Sequence, residues 1–118
     1  MNMRGIRGAI DVSSNEAQKI LEATKELLLE MLQKNSLEKD KIAAIIFSTT
    51  ADLNAAFPAE AARRLGWVYV PLFCTSEINV PGALPRCIRI LMLVNSTKTQ
   101  EEIKHVYLRG ASSLRADL

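Results

Sequence analysis

Apolar residues recur along this chain with two different periods, and the switches between them mark out its elements. Residues 17–34 carry Ala17, Ile20, Leu21, Thr24, Leu27, Leu28 and Met31 on one stripe at helical spacing, with Glu22, Lys25, Glu26 and Glu30 elsewhere. The spacing predicts a long amphipathic helix packed on a core, ending near Lys34 with Asn35 as its C-cap. Residues 13–16, Ser-Ser-Asn-Glu, follow the capping-box pattern, so the helix is expected to start there. Residues 3–12, 42–50, 67–73 and 86–94 are apolar runs of strand length, and residues 105–108 (His-Val-Tyr-Leu) read as a short last strand.

The polar stretches fill in the rest. Residues 36–41 form a connection with room for one helical turn. Pro58 suits the first turn of a short helix that Gly66 suits as an end. Pro81, Gly82 and Pro85 make a turn between the last two long strands. Residues 97–101 carry an N-cap pattern for a short helix running to about Lys104. The expected fold is therefore α+β, a mixed or antiparallel five-stranded sheet with one long helix and short helices. One helix cannot cover both faces of such a sheet. The other face also carries Ile, Val and Leu, so it is expected to pack on another copy of the chain.

Length changes this picture little: 118 residues suit one domain, taken as residues 1–118. The net charge of +2 is small and dispersed, without a Lys/Arg run, which argues against nucleic acid. No stretch approaches a membrane span or a secretory signal. Cys74 and Cys87 have no zinc spacing and His105 is the only histidine, so no metal site is expected. Two scattered cysteines fit a reducing cytoplasm.

Residues 68–94 hold the chemistry. Two apolar runs flank a loop, and Cys74, Glu77, Arg86 and Arg89 lie in or beside them. A charge inside an apolar strand must be paired, turned to solvent or held for a ligand, because burying it alone is costly. For Arg89 on this segment alone, the outward-facing reading leads. Arg4 and Arg7 have odd spacing, so a regular strand points them to opposite faces and one can enter a cleft. Ser48, Thr49 and Thr50 end a buried strand, where hydroxyls commonly satisfy turn backbone. There is no Ser/His/Asp set and no phosphate-binding glycine loop. Several arginines, Glu77, Tyr107 and Cys74 suit a small anionic ligand, since arginine forks grip carboxylates in pairs of bonds. Composition and spacing leave an anion-binding domain and an acid/base enzyme equally open.

Six pieces in collinear order carry a resemblance. They are Met-Arg-Gly-Ile-Arg-Gly-Ala at residues 3–9, Ala51-Asp52-Leu53 with Phe57-Pro58-Ala59, and Tyr69-Val70-Pro71 leading to Cys74 and Glu77. Arg86-Cys87-Ile88-Arg89, His105-Val106-Tyr107-Leu108 and Leu114-Arg115 complete the set. Together they resemble the AroH-class chorismate mutases from residue 3 to the end. The resemblance implies a homotrimer, a trimeric pseudo-α/β-barrel, with active sites in clefts between subunits. It implies the Claisen rearrangement of chorismate to prephenate in aromatic amino-acid biosynthesis, in the cytoplasm, with no cofactor, no metal, and neither nucleic acid nor membrane as partner.

Carried over by motif, Arg89, Arg7 and Glu77 are the expected catalytic residues. Arg89 would donate to the ether oxygen, Arg7 would bind a carboxylate, and Glu77 would accept from the ring hydroxyl with Cys74 beside it. Tyr107 would meet a carboxylate, and Phe57 would line the neighbouring subunit's wall. Arg63 and Arg115 would close the mouth, with Leu114 among the substrate-binding positions. Three positions depart from the family's pattern: Glu60 stands where lysine is common, Phe73 where a small hydroxyl residue is, and Ala116 where proline is. Two rival readings use similar residues: a YjgF-like imine deaminase, and a non-catalytic trimeric sensor of a small carboxylate.

Overall fold

The apolar runs of period two pair into one five-stranded sheet in the computed structural model, which describes residues 1–114. In chain order the elements are β1 (Asn2–Asp11), α1 (Ala17–Lys34), β2 (Ile42–Thr49), α2 (Ala59–Arg64), β3 (Leu72–Ser76), β4 (Cys87–Ser96) and β5 (Val106–Tyr107). Single 3₁₀ turns lie at Lys39–Lys41, Gln100–Glu102 and Arg109–Ser113. The sheet order is β3-β2-β4-β1-β5, with β4 antiparallel to both its neighbours and the outer pairs parallel. This is the mixed α+β sheet that the sequence predicts.

Alternation sorts the side chains. Ile6 and Ile10 of β1, Ile45 and Phe47 of β2, and Ile88, Ile90, Met92 and Val94 of β4 are buried with Ile20, Leu27, Leu28 and Met31 of α1. Each such side chain stabilises the fold by about 1.5–3 kcal/mol. Gly8 belongs to this face, and a Cβ there would lie 2.6 Å from Met31 Sδ. The glycine is what lets α1 approach β1. On the opposite face the same strands present Arg7, Ala9, Ser48, Arg89 and Leu91. At one end of this face the 3₁₀ turn Arg109–Ser113 packs Ala111 against Ala9 and Cys87.

Four local expectations are corrected. The capping box at residues 13–16 does not form: α1 begins at Ala17, with Glu16 as N-cap. The Ser14 hydroxyl donates to the Glu16 carboxylate and Ser13 accepts from Lys19 Nζ at 3.1 Å, and no side chain caps the first helix N–H groups. Ala17 is exposed and Ala23 and Leu32 are buried, which rotates the stripe slightly. The strand expected at residues 67–73 is instead β3, Leu72–Ser76. Gly66, at φ +86°, reverses the chain after α2, and Trp67 turns into the core while Tyr69 is exposed. Lastly, the helical piece near residue 97 is only a 3₁₀ turn, and Thr99 begins it, its N–H donating to Glu102 Oε1 at 2.8 Å.

Candidate active site

Arg89 sits mid-strand on the open face, and the register explains the space around it. Its neighbours across the sheet are Ala9 on β1 and Ser48 on β2, both small. A guanidinium can lie over them without displacing a core side chain. Arg7 is placed two residues from Ala9 on the same face. Tyr107 pairs with Ala9 from the other side, through the parallel β1–β5 contact. Glu77 follows the last residue of β3, its N–H donating to Thr49 O at 2.9 Å. That bond turns its carboxylate back over the sheet, and Glu77 Oε1 meets Arg89 Nε at 3.3 Å.

Arg7, Ser48, Glu77, Arg89, Leu91 and Tyr107 therefore line one cleft of about 240 Å³. Two guanidiniums face one carboxylate, so the cleft keeps a surplus positive charge. Arg89 is half exposed and Glu77 less so, which leaves this ion pair partly screened. Glu77 approaches the guanidinium at Nε, and an arginine fork has more donors than one such contact uses, so Arg89 can also address an anion. The chemistry on offer is electrostatic: cations for carboxylates, one acceptor for a hydroxyl and one phenol. Among the described residues no group of three or more His, Cys, Asp or Glu is placed to hold a metal ion.

Other expected residues lie elsewhere. Cys74 pairs with Phe47 on the helix side of the sheet and packs on the main core. It shares with Phe57 and Pro58 a second cleft, of about 470 Å³, so within the chain it does not stand beside the Arg89–Glu77 pair. Phe57 is 70% exposed. Arg63 projects from α2 and is bound to Glu60 at 3.1 Å, while Arg64 meets the other Glu60 oxygen at 3.4 Å. Bonds from Arg63 and then Arg64 hold the Glu60 carboxyl below its usual range. At this departure from the family pattern, the Arg63 charge is partly neutralised by its neighbour on α2. Leu114 packs with Tyr107 and Leu84 on a small cluster of Ala9, Cys87 and Ala111. Cys87 is buried, but beside the cleft and not in the main core; burial raises its thiol to about 11. Arg115 and Ala116 lie outside the described residues. Thr50 serves turn backbone, as hydroxyls there commonly do: its Oγ accepts Cys87 N–H at 2.9 Å and donates to Asp52.

Two contributors carried no role in the sequence. Leu91 reads as an apolar strand residue, and only the register puts it in the cleft. His105 accepts the backbone N–H of Arg7 at Nδ1, 2.9 Å away, across a separation no local pattern reveals.

The sequence model described as Chorismate mutase type I matches residues 3–118. The chain belongs to the type I chorismate mutases. A chorismate mutase AroH of Thermus thermophilus is 51% identical over 117 residues, covering 98% of this chain and 96% of that protein. A chorismate mutase AroH of Bacillus subtilis (strain 168) is 43% identical over 119 residues, covering 100% and 94%. Among solved structures, a chorismate mutase from Clostridium thermocellum superposes with a TM-score of 0.90 at 55% identity, over 92% of this chain and 96% of that one. As a type I chorismate mutase the chain is an isomerase by kinship. These likenesses give the imine-deaminase and sensor readings no support. Among the described residues, no helix is long and apolar enough to cross a membrane.

Proposed function

We propose that the Arg7–Arg89–Glu77–Tyr107 cleft converts chorismate to prephenate. The observation that carries the reading is convergence. Four side chains spread from residue 7 to residue 107 meet in one cleft, in a chain of a chorismate mutase family. The rearrangement is intramolecular: a C–O bond breaks as a C–C bond forms, and negative charge grows on the ether oxygen. It needs no nucleophile and no net proton transfer. Arg89 donates to that oxygen, an interaction that strengthens as the bond breaks and contributes about 3–4 kcal/mol. Arg7 and Tyr107 hold carboxylate, and Glu77 accepts from the ring hydroxyl while fixing Arg89 by its Nε. Holding the enolpyruvyl arm over the ring supplies the remaining acceleration.

The functional unit in this reading is a homotrimer in the cytoplasm, with each cleft closed by a neighbouring copy. Phe57 and Cys74 then belong to the wall from the adjacent subunit, and Arg63, Leu114 and Arg115 to the mouth. Exposed apolar residues on the open face support assembly, with Phe73 at 65% and Met3 at 56% exposure. Phe73, the second departure from the family pattern, is thereby a candidate interface residue.

The test is loss of chorismate's ultraviolet absorbance on adding purified protein without metal or cofactor, alongside Arg89→Ala. Wild type should yield prephenate rapidly, and the variant should lose about 10²–10³-fold in kcat. Arg89 is half exposed and its ion pair with Glu77 is partly screened, so melting should move little. A folded trimer that leaves chorismate intact would sink the reading.

A further inference from the structure

We infer that His105 is a positioning residue for Arg7, acting as a side-chain substitute for a missing rung of the sheet. The inference rests on the reading that Arg7 binds substrate carboxylate. β5 joins β1 over only two residue pairs, Gly8 with Val106 and Ala9 with Tyr107, and Leu108 N–H closes on Ala9 O at 2.9 Å. Continued by one step, a parallel ladder would bond Arg7 N–H to the carbonyl of Lys104. That carbonyl is engaged elsewhere: it accepts Asn35 Nδ2 at 2.8 Å. The ladder ends there, and His105 Nδ1 takes the Arg7 N–H at 2.9 Å in its place.

The imidazole is aimed from both sides. Asn35 is fully buried at the end of α1, and its amide clamps Lys104 twice, donating to Lys104 O and accepting Lys104 N–H, each at 2.8 Å. Val106, on the other side, is fixed in β5 against β1. His105 thus has little freedom between a clamp and a ladder. Accepting at Nδ1 requires the neutral ring with its proton on Nε2, since a proton on Nδ1 would set two donors against each other. The contact therefore defines one tautomer and one backbone position for Arg7. Arg7's guanidinium stands on that backbone in the cleft with Arg89 and Tyr107. A small displacement of a binding group is enough to degrade a preorganised site.

The test compares His105→Phe, His105→Asn and His105→Gln with wild type and Arg7→Ala. Phenylalanine keeps the ring volume and removes the acceptor. Asparagine puts its amide oxygen where Nδ1 stood, and glutamine puts its own one bond further out. His105→Phe should lower kcat/KM for chorismate by about tenfold to a hundredfold, mostly through KM, because Arg7 holds a ground-state carboxylate. His105→Asn should recover most of that loss, and His105→Gln should not. In ¹⁵N-labelled wild type, scalar coupling between Arg7 N and His105 Nδ1 should be visible across the hydrogen bond. A merely structural histidine would change melting temperature in all three variants and leave KM alone. Wild-type kcat/KM in folded His105→Phe, or equal recovery by glutamine and asparagine, overturns the inference. If Arg7→Ala itself keeps full activity, the carboxylate reading of Arg7 fails and this inference fails with it. An inactive Arg7→Ala beside an unaffected His105→Phe overturns the inference alone.

Discussion

Removing the Asn35 side chain should be among the most destabilising single changes in this protein that alter no apolar core residue. Asn35 is polar yet fully buried, and it makes three side-chain hydrogen bonds. Two go out from Nδ2, to Met31 O at 2.9 Å and Lys104 O at 2.8 Å. The third comes in from Lys104 N–H to Oδ1 at 2.8 Å. Asn35→Ala cuts all of them and leaves two carbonyls and one N–H seeking partners. At about 1 kcal/mol net per bond the loss is about 3 kcal/mol. Lys104 is an exposed residue, so water can reach part of the gap, and this keeps the figure from rising further. For a domain of this size about 3 kcal/mol corresponds to a melting shift of roughly 10 °C.

Urea unfolding at fixed protein concentration measures the loss directly, with an unchanged m-value expected. Asn35→Asp separates the donor from the acceptor role. It still accepts Lys104 N–H but turns a carboxylate toward two carbonyl oxygens, and both burial and those oxygens raise its pKa in the fold. The folded state then binds more protons than the unfolded one, so stability falls as pH rises through and above the ordinary carboxyl range. Relative to wild type, Asn35→Asp should be closer to native at pH 4 than at pH 8. A loss below about 1 kcal/mol for Asn35→Ala, or an Asn35→Asp deficit indifferent to pH, would refute the clamp.

Three further outcomes follow from single contacts. Gly8→Ala should cost about 1–2 kcal/mol, since its Cβ would press on buried Met31, and the cost should shrink in a Met31→Ala background when the four proteins are compared by denaturant unfolding. Asp52 is held below its ordinary value chiefly by the Thr50 hydroxyl and further by Arg86 N–H. Its stabilisation is present above that value and lost as pH falls, so Asp52→Asn should flatten the acid limb of a stability-versus-pH curve. Cys87, buried and raised to about 11, should resist iodoacetamide at pH 8 in the native protein and react once guanidinium unfolds it.

Much of this arrangement is legible in the sequence because strand geometry has a period of two. Alternation sets Arg7 opposite Ile6 and Ile10 on β1 and Arg89 opposite Ile88 and Ile90 on β4, while the β1–β4 register brings the two side chains to one place. The C-cap at Asn35 and the helix between Pro58 and Gly66 are readable from local backbone preference. What is hidden depends on register or on long separations. An apolar run from Trp67 looks like a strand until Gly66 turns it under α2 and its edge residues face water. The clamp from Asn35 to Lys104 spans 69 positions, and the bond from Arg7 to His105 spans 98. Neither leaves a periodic trace. The cleft's other neighbours are of the hidden kind: Ser48 reads as a strand-end hydroxyl serving turn backbone and Leu91 as an apolar strand residue, and it is the register that places both in the cleft.

The same geometry explains how a cation persists in the middle of β4. A lone guanidinium buried in an apolar strand would be costly, yet Arg89 meets none of the conditions for that cost. Its strand neighbours are Ala9 and Ser48, it keeps about half its side chain in contact with solvent, and Glu77 supplies a partner at 3.3 Å. The partner is attached to the fold by its own backbone bond to Thr49, so the carboxylate fixes the cation instead of following it. A fixed cation with unspent donors is what a rearrangement without nucleophile or cofactor demands. Charge appears on one oxygen for the duration of the transition state, and a donor that need not reorganise stabilises it most. In the proposed reading, the rest of the fold, from the Gly8–Met31 approach to the His105 rung, acts on catalysis by keeping Arg7 and Arg89 where that oxygen and its carboxylates arrive.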